Sequence, residues 1–219
     1  YQKSTDSGAT WGGAVVVATG KSYIEISVWY DKWTPNDTGN IIHMFYQASN
    51  GSSTIYESLD TSDDSQGGQV VVKSSAAGGA TCLTIVKAEG GNLYAAHNSN
   101  SGTLTSGFFR STDGGATWTS RATLWDGPSV IDDNAKLVPW NAPDTNDIAA
   151  IFVDVSAEDV FLRVYDDSAN SWSSTAISSA LDLSPAGYEA MIRHSDKHVL
   201  LAIDEDTFGA AAHDIQFYD

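Results

Sequence analysis

Ser4-Thr5-Asp6-Ser7-Gly8-Ala9-Thr10-Trp11 and Ser111-Thr112-Asp113-Gly114-Gly115-Ala116-Thr117-Trp118 differ at one position, and 107 residues separate them. Near-identity over that distance marks an internal repeat. Halving the separation predicts weaker copies near residues 60 and 167. Ser58-Leu59-Asp60 stands at the first place. Asp167-Ser168-Ala169-Asn170-Ser171-Trp172 stands at the second and keeps the five-residue step from Asp to Trp. The aspartates at 6, 60, 113 and 167 are spaced by 54, 53 and 54 residues, so the chain reads as four copies of one unit. Four aspartates in one phase are expected to share one local geometry.

Within a unit, short Val, Ile, Tyr, Phe and Trp runs alternate with Gly, Asn, Asp and Ser clusters, which is strand-and-turn patterning. Strands are expected at 23–30, 41–47, 54–59 and 69–73, then at 82–87, 92–97, 104–110 and 119–125. The third unit gives 135–140, 148–153, 160–165 and 173–177; the fourth gives 188–194, 199–204 and 214–218 and lacks a last strand. Residues 11–18 follow the first motif without a unit of their own and are expected to supply that strand. No run has helical periodicity. Four antiparallel strands per unit, repeated radially, is the pattern of an all-β β-propeller of about four blades. The repeats fall at about 1–22, 23–73, 80–125, 135–177 and 187–219, within one domain or part of a larger propeller. An N-terminal Tyr without Met favours a processed product or fragment; a ring completed by other chains and a closed four-bladed ring are the alternatives.

The chain carries 28 acidic against 11 basic residues, a net charge of −17. Such a surface repels phosphate backbones and anionic lipid, which argues against nucleic acid and membrane insertion as partners. The single cysteine, Cys82, lies in an apolar run and reads as a small buried hydrophobe, so packing rather than a disulfide must supply stability.

The Ser-x-Asp-x-Gly-x-Thr-Trp pattern resembles the Asp-box, or BNR, repeat of the sialidase-like β-propeller superfamily. The stretch 58–64 followed by 69–72 also resembles segments of bacteriophage and viral propellers. The resemblance implies that these boxes join third and fourth strands away from the ligand face. Ser4, Asp6, Gly8, Thr10 and Trp11, with Ser111, Asp113, Gly115, Thr117 and Trp118, are then structural staples, as are Asp60, Asp167 and Trp172. The chemistry agrees: Asp caps a tight turn, Gly takes a left-handed conformation, and Trp buries a large ring between sheets.

Family sialidases hold a sialic-acid carboxylate with three arginines and cut with a Tyr-Glu pair and an Asp acid. This chain has four arginines, Arg110, Arg121, Arg163 and Arg193, and only Arg193 is expected on an inner strand. A complete arginine triad is therefore not expected, and no catalytic residue is assigned. Carbohydrate binding needs a ring to stack on sugar C–H faces and amides or carboxylates for hydroxyls. Trp125, Phe208, Asn50, Asn98, Asp132, Asp133, Glu205, Asp206 and Arg193 are the candidates. Asp132-Asp133 and Glu205-Asp206 also suit a calcium ion weakly; no other cofactor or metal is indicated. The five histidines show no metal spacing.

These features suggest a non-catalytic module on a secreted or virion surface, binding a glycan or a surface protein, with homo-oligomer formation one way to complete a ring. A sialidase-type glycoside hydrolase and a structural protein-interaction propeller are the alternatives.

Overall fold

The computed structural model describes residues 1–17, 23–48, 53–74, 80–99, 107–124, 135–140, 145–154, 159–178, 188–192, 198–206 and 213–218. All regular structure among them is strand, apart from one 3-10 turn at Asp31–Trp33. The first sheet contains β1 (Tyr23–Tyr30), β2 (Ile41–Ala48), β3 (Ser53–Asp60) and β4 (Val70–Ser74). The second contains β5 (Ala80–Lys87), β6 (Leu93–Ser99), β7 (Gly107–Ser111) and β8 (Thr119–Ser120). The third contains β9 (Ala135–Pro139), β10 (Ile148–Asp154), β11 (Asp159–Asp166) and β12 (Ser171–Ser178). The fourth contains β13 (Tyr188–Ile192), β14 (Val199–Asp206) and β15 (His213–Tyr218). Every sheet is an antiparallel meander in chain order.

The expected strands are present within a few residues, except at two places. β8 stops after Ser120 rather than Trp125 because the chain changes partners. Arg121 N still donates to Phe108 O, but Ala122 N donates to Asn170 Oδ1 in the third sheet. Residues 11–17 form no strand on the fourth sheet. They fold back on residues 1–3, with Gly12 N donating to Lys3 O and Val15 N to Tyr1 O. Tyr1 and Val17 cover Met44, Tyr46, Ile55 and Leu59 on one face of the first sheet. The apolar alternation of β2 and β3 makes that face a better partner than solvent.

First strands of successive sheets lie side by side in the order β1, β5, β9, β13. They run in parallel without forming a continuous sheet. Instead, side-chain oxygens take the backbone N–H groups that an edge strand would leave bare. Glu25 Oε1 accepts from Leu83 N at 3.0 Å, Ser27 Oγ from Ile85 N at 3.2 Å, and Thr84 Oγ1 from Leu137 N at 3.2 Å. The main core fills the spaces between sheets, with Phe45, Leu93, Tyr94, Phe108, Ile148 and Tyr165 nearly sealed from solvent.

Candidate functional site

Because all four meanders run the same way, the molecule has two ends. One carries the turns between third and fourth strands and the links between first and second strands. The other carries the C-terminal ends of the second strands.

At the first end the two strong motifs fold alike. Asp6 Oδ1 accepts from Thr10 N at 2.8 Å and Oδ2 from Thr10 Oγ1 at 2.5 Å. Asp113 repeats this with Thr117 N at 2.9 Å and Thr117 Oγ1 at 2.6 Å. Ser4 and Ser111 each donate to their Asp and accept from Gly8 N and Gly115 N respectively. Both turns need left-handed backbone, at φ +89° for Gly8 and +97° for Gly115. The Thr hydroxyl, first among these donors, holds each carboxyl at about 2. Such a group stays ionised and saturated with hydrogen bonds, so it is a staple and not a proton donor near neutrality.

The other two aspartates correct the expectation of one shared geometry. Asp60 caps only two residues on, accepting from Ser62 N at 2.8 Å and Ser62 Oγ at 2.6 Å. In the third sheet Asp166 caps the turn through Ala169 N at 2.9 Å, and Asp167 is released for another task. It accepts two bonds from Arg110 Nη1, at 2.7 and 2.9 Å, and lies 3.5 Å from Arg121 Nη2. Without the Gly and Thr of the strong motif, neither weak copy can close the longer turn. The repeat therefore survives at the level of the sheet more completely than at the level of the turn.

Each turn is keyed to the preceding sheet. Trp118 packs on Tyr56 at 5.3 Å between ring centroids, and Tyr56 OH donates to Gly114 O. Trp172 packs on Phe108 at 5.0 Å and donates to Ala122 O at 3.0 Å. Trp11 departs from the expected burial: it is 63% exposed, with no ring of the described sheets packed on it as Tyr56 is on Trp118. Tyr165 OH and the Asp167 backbone oxygen take the remaining Arg121 donors, and Arg163 Nη1 donates to Leu124 O.

A polar network that sequence reading missed joins the first two sheets. Asp31, 1% exposed, accepts from His43 Nε2 at 2.9 Å, Lys87 Nζ at 2.6 Å and Ile41 N at 2.9 Å. Burial pushes its carboxyl up, but the bonds from His43, Lys87 and Ile41 outweigh this and hold it at about 2. Asn146 plays the matching role one sheet on, accepting from Asn92 N through Oδ1 and from Tyr94 OH through its carbonyl. Many of these links between sheets join residues 52 to 58 apart, about one repeat. That spacing was the available signal.

Asp6, Asp113 and Asp31 all sit below the ordinary value of 3.8. A depressed carboxyl stabilises the fold above its unfolded value, and that stability is lost as pH falls through the folded one. The urea midpoint is therefore expected to hold from pH 7 to about 5 and to fall between about 4 and 2. In Asp113→Asn the acid limb becomes shallower; an unchanged limb would refute the assignment.

The opposite end is the candidate ligand face. Second strands finish there in polar residues: Gln47 on β2, His97 and Asn98 on β6, Asp154 on β10, Glu205 and Asp206 on β14. Gln47, His97 and Asn98 are fully buried, as is Thr54 opposite Gln47. His97 stacks on Phe109 at 5.6 Å, with Gly107 admitting both rings. Glu205 and Asp206 lie opposite Asp214 and His213 in the β14–β15 register. Asn50, Trp125, Asp132, Asp133, Arg193 and Phe208 lie outside the described residues. Among the described residues no three His, Cys, Asp or Glu side chains gather as a metal site.

No family model and no curated protein sequence matches the chain. Solved structures do. A Hadza microbial sialidase superposes with a TM-score of 0.69 at 13% identity, covering 99% of this chain and 49% of its own. The intramolecular trans-sialidase from Ruminococcus gnavus gives 0.60 at 12% identity, covering 100% and 49%. The leech intramolecular trans-sialidase gives 0.63 at 15%, covering 99% and 35%. This chain thus spans about half the length of the first two and about a third of the last. At these identities the likeness is one of architecture: the fold of this chain is sialidase-like.

Proposed function

We propose that the four sheets are successive blades of a β-propeller, that the two Ser-x-Asp-x-Gly-x-Thr-Trp turns are Asp-boxes, and that the chain is a non-catalytic module binding carbohydrate. The observation that carries the functional part is the use made of arginine. A sialidase-type site needs several guanidinium groups on one substrate carboxylate. Here Arg110 and Arg121 are spent on Asp167, and Arg163 on the Leu124 carbonyl. That leaves Arg193 of the four. The face opposite the Asp-boxes, carrying Asn98, Glu205 and Asp206 and the connections with Asn50, Trp125, Asp132, Asp133 and Phe208, is the binding surface. Neutral or cationic glycans suit it, since a net charge of −17 disfavours anionic ligands. A place on a secreted or virion surface belongs to the same reading.

A second reading, an exo-sialidase whose remaining groups come from outside these residues, draws on the sialidases that share the fold. A fluorogenic sialoside separates the two. No turnover above buffer is expected, together with glycan-array signals that Trp125→Ala reduces at least tenfold. Turnover abolished by Arg193→Ala would establish the second reading, and a silent array would remove the first.

A further inference from the structure

Between the first two sheets, Asp31, His43 and Tyr56 form a chain of hydrogen bonds that ends on turn 111–118. Asp31 is 1%, Tyr56 3% and His43 4% exposed. His43 Nε2 lies 2.9 Å from Asp31 Oδ1, and His43 Nδ1 lies 2.8 Å from the Tyr56 hydroxyl oxygen. That oxygen lies 3.1 Å from the carbonyl oxygen of Gly114. The Asp31 carboxyl, held at about 2, is ionised and has no proton to give, so Nε2 carries one and donates it. Nδ1 has two states. As a bare nitrogen it takes the Tyr56 proton, and the Gly114 carbonyl receives none from this phenol. As an N–H it donates to the phenol oxygen, and the phenol proton goes to Gly114. Only the imidazolium form completes every bond in the chain.

The groups facing His43 come from each element around it. The 3-10 turn supplies Asp31, β3 supplies Tyr56 and Ser58, and β1 places Trp29 opposite. Lys87, at the end of β5, joins Asp31 at 2.6 Å and Asp37 at 2.8 Å. Turn 111–118 adds a carbonyl here and no charge, because Asp113 is taken by Thr117. Two carboxylates and one ammonium leave this cluster with one negative charge, which a proton on His43 neutralises.

We propose that His43 is a proton-operated link between the first two sheets: with a proton on Nδ1, Tyr56 ties down turn 111–118 through Gly114, and without it the turn is released. The balance is simple. One proton is exchanged between Nδ1 and solvent, while the Tyr56 O–H bond stays intact and only rotates. Gly114 is exposed, so water takes over the released carbonyl. The switch therefore moves the turn without opening the sheets. It is independent of the glycan reading.

Heteronuclear NMR of the histidine ring nitrogens tests this on the 219-residue chain between about pH 8 and 5, where imidazoles ordinarily titrate. His43→Gln identifies the His43 signals among those of the five histidines. Nδ1 is expected to pass from bare to protonated as the pH falls, while Nε2 keeps its proton throughout. The Gly115 amide, joined to the Gly114 carbonyl, is expected to shift with the same midpoint. In Tyr56→Phe, which keeps a ring against Trp118, Nδ1 still titrates and the Gly115 shift is lost. His43→Gln removes that shift by a second route. A His43 Nδ1 that holds one protonation state across the range would overturn the proposal, as would a Gly115 shift that survives in either variant.

Discussion

Asp31→Ala is expected to lower stability by about 3–5 kcal/mol, which for a chain of this size is a fall in Tm of roughly 10 °C. The carboxylate is nearly sealed from water and is the common partner of His43, Lys87 and the Ile41 amide. Its removal leaves those donors facing one another across a dry space, and a half-empty buried ion network costs more than none. The effect reaches beyond one sheet. Lys87 ends β5, also pairs with Asp37 at 2.8 Å, and has its backbone oxygen capped by Thr34 Oγ1 at 2.8 Å. Losing Asp31 therefore loosens the seam between the first two sheets. Calorimetry on Asp31→Ala beside the parent checks this; a Tm within 2 °C of the parent would show the seam held by apolar packing alone.

Gly115→Ala is expected to cost about 3 kcal/mol or more, the sum of a left-handed residue that acquires a Cβ and a collision with a buried ring. The Tyr56 ring has no room to withdraw. It is packed on Trp118, its hydroxyl contacts both His43 and Gly114, and burial, the largest cause, raises its pKa to about 12. Gly8→Ala supplies the matched control. That site has nearly the same φ but no neighbour within 4 Å, so only the backbone cost of about 1–2 kcal/mol remains. Urea denaturation of both variants isolates the Tyr56 contact as their difference. Equal losses would mean that the turn, and not its fit to the first sheet, sets the requirement for glycine.

The repeated octapeptide and the period of the aspartates contained the sheet order, because a meander is a local structure: each strand pairs with its sequence neighbour across a short turn. The structural role of Asp6 and Asp113 was readable for the same reason, since their partners lie four residues away. Asp60 and Asp167 misled because phase alone says nothing of what a carboxylate will find. With Gly two residues on and Thr four residues on both missing, Asp60 took the nearest hydroxyl and Asp167 took a guanidinium from the neighbouring sheet.

What the chain could declare locally was its unit: four antiparallel strands, an acidic surface, and tight Asp-capped turns. What only the assembled molecule decided was the use of its long polar side chains. Asp31, Arg110, Arg121 and Asn146 look like free surface groups when read in order, and each is bound to a residue about one unit away. Those partners meet only when sheets stack. The same stacking decides that Trp118 is covered while Trp11, with the same neighbours in sequence, stands open to solvent.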